Sequence, residues 1–317
     1  MKYKALITAL FLAAALCSCS RKPAPQAQAA LFPQVEIPAM VTEPAARAEY
    51  AAKNFWNRFF QMSGATDTSA TNGVANLEME KAMSTYITLL DNFDKETGKA
   101  CIADLFSRIE AKQAEDTSSH IFPVMTDLVI KYLYDPNSPF RDEDLYLPFV
   151  SAMAESEYTL DDARPGYEFE KRMCSLNQYG TPVPDFTYTD KRGARHRLYD
   201  VKADNILLFF SNPGCNACKD IVEALEDIRG IHSLIAEKKL AVVNIYIDNE
   251  IDKWKEFVVN YPSDWIAGYD QDFIIREDVL YNVRAIPSLY MLDAEKRVVL
   301  KDAPTEKAVA YIEKINN

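Results

Sequence analysis

Apolar residues recur at three- and four-residue spacing through the first half of the chain and give way beyond residue 180 to short apolar runs alternating with helical faces, so the two halves predict different architectures. Phe55, Trp56, Phe59 and Phe60 form one aromatic stripe, Val74, Leu77, Met83, Tyr86, Ile87 and Leu90 a second, and Cys101, Ile102, Leu105, Phe106 and Ile109 a third. Further faces follow at Ile121, Val124, Met125, Leu128, Val129 and Tyr132, and at Leu145, Phe149 and Met153, with Asp-Pro-Asn-Ser-Pro at 135–139 separating two segments. The spacing predicts an all-α domain of five or six helices over residues 44–176, its stripes read as core and not as a binding groove.

The second half, residues 177–317, opens with Thr187-Tyr188-Thr189, a polar turn Asp190-Lys191-Arg192-Gly193 and the run Arg195 to Leu198, which is hairpin chemistry. The apolar run Asn205 to Phe210 predicts a buried strand. Ala217, Ile221, Ala224, Leu225 and Ile228 then place one helical face against it. A second helical stretch to Lys238, a strand from Leu240 to Asp248, a helix through Ile251, Trp254, Phe257 and Val258, and a shorter helix from about Asp272 to Tyr281 follow. Strands at Ser288 to Leu292 and Arg297 to Lys301 and a helix from Thr305 to Ile315 complete an α/β sandwich with a mixed sheet. The fold class is thus an all-α domain followed by an α/β domain.

Composition alters this picture at the amino terminus. Lys2 and Lys4 precede an apolar run from Ala5 to Leu16, too short for a hydrocarbon core of ~30 Å and matching a cleavable leader. Leu16-Cys17-Ser18-Cys19 resembles a bacterial lipobox, which implies a lipoprotein signal peptide at 1–18 and lipid on Cys19. Residues 19–43, rich in Ala, Pro and Gln, read as a tether. The formal net charge is −12, and losing Lys2 and Lys4 takes it two further, to −14. Such a chain does not seek nucleic-acid phosphates or anionic lipid through its surface, so membrane attachment falls to the lipid. Cys101, Cys174, Cys215 and Cys218 would remain in an oxidising compartment.

Candidate chemistry centres on Cys215-Asn216-Ala217-Cys218. Cys215 falls where the strand hands over to a helix, and unpaired N–H groups and the helix dipole there favour a thiolate. Cys218 lies one turn on and is the more buried of the two. No second pair of ligands is spaced for zinc, since His120, His196 and His232 are scattered, so no metal is expected. A disulfide closing so short a loop stabilises a fold little, which favours redox chemistry over a structural staple. Cys101 and Cys174 read as buried thiols, with a disulfide between them as the other reading.

Three segments together resemble the thioredoxin-like fold, and within it membrane-tethered thiol-disulfide oxidoreductases of the TlpA and ResA type. These are Gly180-Thr181-Pro182-Val183-Pro184-Asp185-Phe186, the Cys215–Cys218 pair after its strand, and Val283-Arg284-Ala285-Ile286-Pro287-Ser288-Leu289. The resemblance implies a cis Pro287 facing the cysteines and a backbone at Ile286 that an extended substrate pairs with as an added strand. It further implies protein disulfides as substrates, a membrane electron donor that restores the dithiol, no cofactor, reduction as the working direction, and a lipid-anchored protein facing the periplasm of a Gram-negative envelope. The chain departs from thioredoxins in having Asn-Ala between the cysteines and Phe209 where they place a buried carboxylate, leaving Glu223 or water to take the proton of Cys218. A peroxiredoxin would carry Thr where Asn212 stands. The rival reading is a redox-inert binding protein whose helical domain recruits a partner.

Overall fold

The computed structural model describes residues 30–316; the expected leader, Cys19 and the first part of the tether lie outside the described residues. The described chain already packs before the first helix, because Phe32 is buried against Phe55 and Trp56, each ring centroid 5.2 Å away. Seven helices follow: α1 (Pro44–Asn54), α2 (Asn57–Gln61), α3 (Asn76–Leu90), α4 (Lys95–Glu115), α5 (Ile121–Leu133), α6 (Glu143–Glu155) and α7 (Arg164–Cys174). The count exceeds the expected five or six because a turn at Phe55 and Trp56 splits the first aromatic stripe in two. Val74, read as the start of a helical face, lies instead in a two-stranded ladder of β1 (Ala70–Thr71) and β2 (Val74–Ala75). Asn72 and Gly73 both adopt positive φ, 49° and 81°, which is the Asn-Gly hairpin turn. Leu77 of the same stripe is exposed. The core runs from Phe59 through Met83, Ile102 and Met125 to Phe149. Asp94 caps α4 by accepting from the Thr97 N–H at 2.9 Å, and Asp142 caps α6 through the Leu145 N–H at 3.1 Å.

The second half folds as β3 (Thr187–Asp190), β4 (Arg195–Arg197), β5 (Asn205–Phe210), α8 (Asn216–Glu226), α9 (Ile231–Ala236), β6 (Leu240–Tyr246), α10 (Ile251–Phe257), β7 (Ile266–Tyr269), α11 (Ile274–Glu277), β8 (Ser288–Asp293), β9 (Val298–Leu300) and α12 (Thr305–Asn316). The sheet order is β4-β3-β7-β6-β5-β8-β9. It is mixed: β5, β6 and β7 are parallel, while β8 and β3 run antiparallel to their neighbours. Two departures from expectation lie side by side, the unpredicted β7 and an α11 far shorter than the stretch from Asp272 to Tyr281. Strand β7 contains Gly268, where a Cβ would sit 2.4 Å from the Tyr188 ring, so β3 crosses at a distance only glycine allows.

Successive residues of β5 point to opposite faces, and each face has its own core. Leu207 and Phe209 join Ile221, Leu225, Trp254 and Ile312, whereas Ile206, Leu208 and Phe210 join Phe186, Tyr281 and Tyr290. The central strand is therefore buried on both sides, as its unbroken apolar run requires.

Candidate functional site

The register of the sheet builds the site. Phe210, the last residue of β5, pairs with Ser288, the first of β8, so the chain leaving β5 toward Cys215 and the chain entering β8 from Pro287 emerge together at one edge. The Ile286–Pro287 peptide is cis. Ile286 is half-buried between both faces of the core and lies outside the β8 ladder, which starts at Ser288.

Cys215 is the N-cap of α8. Its backbone is extended, and its Sγ accepts the N–H of Cys218 at 3.2 Å, filling the place a Ser or Asp oxygen takes in an ordinary cap. The cap bond requires Cys215 to point back over the first turn, where Cys218 stands. Cys215 is half-buried and Cys218 is buried, and both are free thiols. Burial, then a hydrogen bond to the Cys215 sulfur, pushes the Cys218 thiol up to about 12. The two sulfurs thus differ in access, and burial keeps Cys218 protonated. Cys101 and Cys174 are also buried free thiols, each pushed above the usual thiol value mainly by burial.

A cavity of about 390 Å³ opens over the pair, lined by Cys215, Cys218, Lys219, Glu223, Phe257 and Tyr261 among others. Glu223 stands at its rim, more than half exposed and paired with Lys219 at 3.3 Å. Position 209 holds a fully buried Phe packed in the cluster that contains Cys218. The polar group beneath the site is one that sequence reasoning missed: Tyr261 Oη lies 2.9 Å from Ser211 Oγ, which meets the Asn244 amide at 2.8 to 3.0 Å. Ser211 and Asn244 are buried, and burial chiefly holds the Tyr261 phenol protonated. The available signal was Asn244 itself, a lone amide in the apolar strand β6, since a buried amide needs partners.

Strand, cysteine-capped helix and cis-proline loop at one sheet edge define the thiol-disulfide oxidoreductase class of the thioredoxin fold. The comparisons agree. Residues 179–301 match the AhpC/TSA family, and residues 17–170 match a domain of unknown function, DUF5106. A thioredoxin-like protein from Bacteroides caccae is 37% identical, with 89% of this chain and 97% of that chain covered and a TM-score of 0.74. The chain belongs to the thioredoxin-like proteins. It is also similar to the thiol-disulfide oxidoreductase ResA of Bacillus cereus, 24% identical over 44% of this chain and 79% of the relative, and to that of Geobacillus kaustophilus, 25% identical over 43% and 77%.

Proposed function

We propose that Cys215 and Cys218 exchange disulfides with protein substrates, working as a reductant. The observation that carries this reading is the pairing of Phe210 with Ser288, which sets the cysteine loop beside the cis-proline loop. Cys215, at the helix N-terminus and open to the cavity, is the nucleophile. Its thiolate attacks one sulfur of the substrate disulfide; that S–S bond breaks, a mixed disulfide to Cys215 forms, and the departing substrate sulfur takes a proton. Cys218 then gives up its proton and attacks the Cys215 sulfur. The mixed disulfide breaks, the second substrate sulfur leaves as a thiol, and Cys215 and Cys218 are joined. The substrate has gained two electrons and two protons, and a dithiol donor at the membrane returns them to the pair. The substrate backbone adds as a strand beside Ile286, at the end of β8 where Pro287 offers no N–H of its own.

Replacing Cys218 by Ser leaves the first step and removes the second, so mixed disulfides accumulate on Cys215 and vanish under dithiothreitol. Full activity from a Cys215→Ser protein would show that the nucleophile is misassigned.

Placement in the envelope belongs to the same reading. The apolar run Ala5 to Leu16 and the Leu16-Cys17-Ser18-Cys19 ending support cleavage before Cys19 and acylation there, with a tether leading into the packed chain and the site facing the periplasm of a Gram-negative envelope. Radiolabelled palmitate fed to expressing cells then labels the wild-type protein and not Cys19→Ala. Equal labelling of both removes the anchor from this position.

A further inference from the structure

The loop bearing the cis peptide is held by the helical half of the molecule. Arg284, two residues before Ile286, places Nε 2.8 Å from Glu143 Oε1 at the start of α6 and a second nitrogen 3.1 Å from Asp302 Oδ2. Its remaining nitrogen donates to the carbonyl of Tyr134, just past α5, and its guanidinium carbon lies 4.1 Å from the Tyr134 ring centroid. Asn282 donates to the same Glu143 oxygen at 2.7 Å. On the far side of the proline, Ser288 donates to Asp302 Oδ1 at 2.8 Å, and Arg141 donates to the carbonyls of Asp302 and Ala303 at 2.8 and 2.9 Å. Glu143 and Asp302 are both almost wholly buried.

On the leading side of residues 282–288, Asn282 and Arg284 reach Glu143 and Tyr134 of the helical half, and Arg284 also reaches Asp302, which holds Ser288 on the trailing side and is itself held by Arg141 of the helical half. Solvent-exposed ion pairs hold geometry poorly, but a buried guanidinium with a carboxylate on each side and an aromatic ring on its face has little freedom left. A loop that sits outside the strand ladder must otherwise be ordered each time a substrate chain docks on it, and that ordering is paid from binding.

We propose that the helical domain positions the cis-proline loop for protein substrates, with Glu143 and Tyr134 acting through Arg284. This rests on the disulfide-exchange reading. Glu143 and Arg284 touch no reacting atom and are positioning residues. Their influence falls on docking of an extended chain beside Ile286, not on the sulfur chemistry of Cys215.

The test uses the full chain, with insulin as the protein disulfide and dithiothreitol as donor, in wild type, Glu143→Gln and Arg284→Lys. Gln keeps an acceptor for Asn282 but loses the charge, and Lys keeps the charge but loses the fork. Each variant raises KM for insulin about tenfold while kcat stays within about twofold, the size of one lost charge-assisted contact. The rate of Cys215 alkylation by iodoacetamide is the same as in wild type at each pH. Amide hydrogen exchange reads positioning without catalysis: protection over 282–288 falls about tenfold in both variants and stays level in α8. Unchanged KM in variants with wild-type circular dichroism overturns the proposal, as does a shifted alkylation profile at constant KM. If the wild-type protein fails to reduce insulin, the exchange reading falls by itself, and unchanged protection over 282–288 still decides against positioning by the helical half.

Discussion

At the scale of single residues the site is an argument about two sulfurs with different surroundings. Cys215 takes the cap position of α8 and opens to the cavity; Cys218 is 2% exposed and its thiol is pushed from 9.0 to about 12, by burial first and then by its hydrogen bond to Cys215. A raised thiol value means the protonated form is favoured in the folded protein, so at and below the ordinary thiol value Cys218 stays almost wholly protonated. Iodoacetamide between pH 7 and about 9 therefore modifies one sulfur of the pair. Peptide mapping by mass spectrometry should find the adduct on Cys215, with Cys218 reacting only after unfolding. Comparable labelling of both in the native protein would show that the burial of Cys218 does not order the two steps. The same scale explains what stands in for a carboxylate under the site. Phe209 fills that place with carbon, and the polar atoms near the cysteines come instead from Tyr261, Ser211 and Asn244.

At the scale of elements, legibility followed the strength of the local pattern. The run Asn205 to Phe210 and the face Ile221, Leu225 and Ile228 stand as strand and helix, because burial on both faces demands an unbroken apolar run and burial on one face a helical stripe. The turn at Asp190 to Gly193 was legible for the same reason, a polar turn between alternating strands. Strand β7 was not: Ile266-Ala267-Gly268-Tyr269 is short, contains a glycine, and is a strand because β6 and β3 pair with it on either side. Asp272 to Tyr281 reads as a helix in isolation, but Phe273 and Val279 take positive φ and confine α11 to four residues between them. In the helical half, stripes were legible and ends were not, since the break at Phe55 and Trp56 comes from the way Phe32 and Tyr86 pack on those rings. The cysteine pair and the proline loop could be read as motifs, whereas the Tyr261 chain could not, because its three members are brought together only by the fold.

At the scale of the whole molecule, what joins the two halves is charged and buried, and no window of sequence shows it. Lys301, on the segment after β9, has a side chain 1% exposed, and its ammonium meets Glu143 Oε2 at 2.8 Å, the carbonyl of Cys174 at 2.8 Å and that of Leu176 at 2.5 Å. The ammonium donates to the two carbonyls, and its charge is balanced by the Glu143 carboxylate beside it. Removing one member of such a set is costly because the other stays buried without its partner, whereas removing both is often nearly neutral. Lys301→Met alone should therefore lower the unfolding free energy by about 3 to 5 kcal/mol. Lys301→Met with Glu143→Met should recover a coupling of at least about 1 kcal/mol relative to the sum of the single changes. Equilibrium unfolding in urea measures both, followed by far-ultraviolet circular dichroism and by tryptophan emission, which samples Trp56 in the helical half and Trp254 and Trp265 in the other. Additive losses would mean that Lys301 and Glu143 are stabilised independently and that the junction is held by its other contacts. A coupled loss with one shared transition would mean that the helical half and the thioredoxin-like half are one cooperative unit, joined at residues directly behind the proline loop.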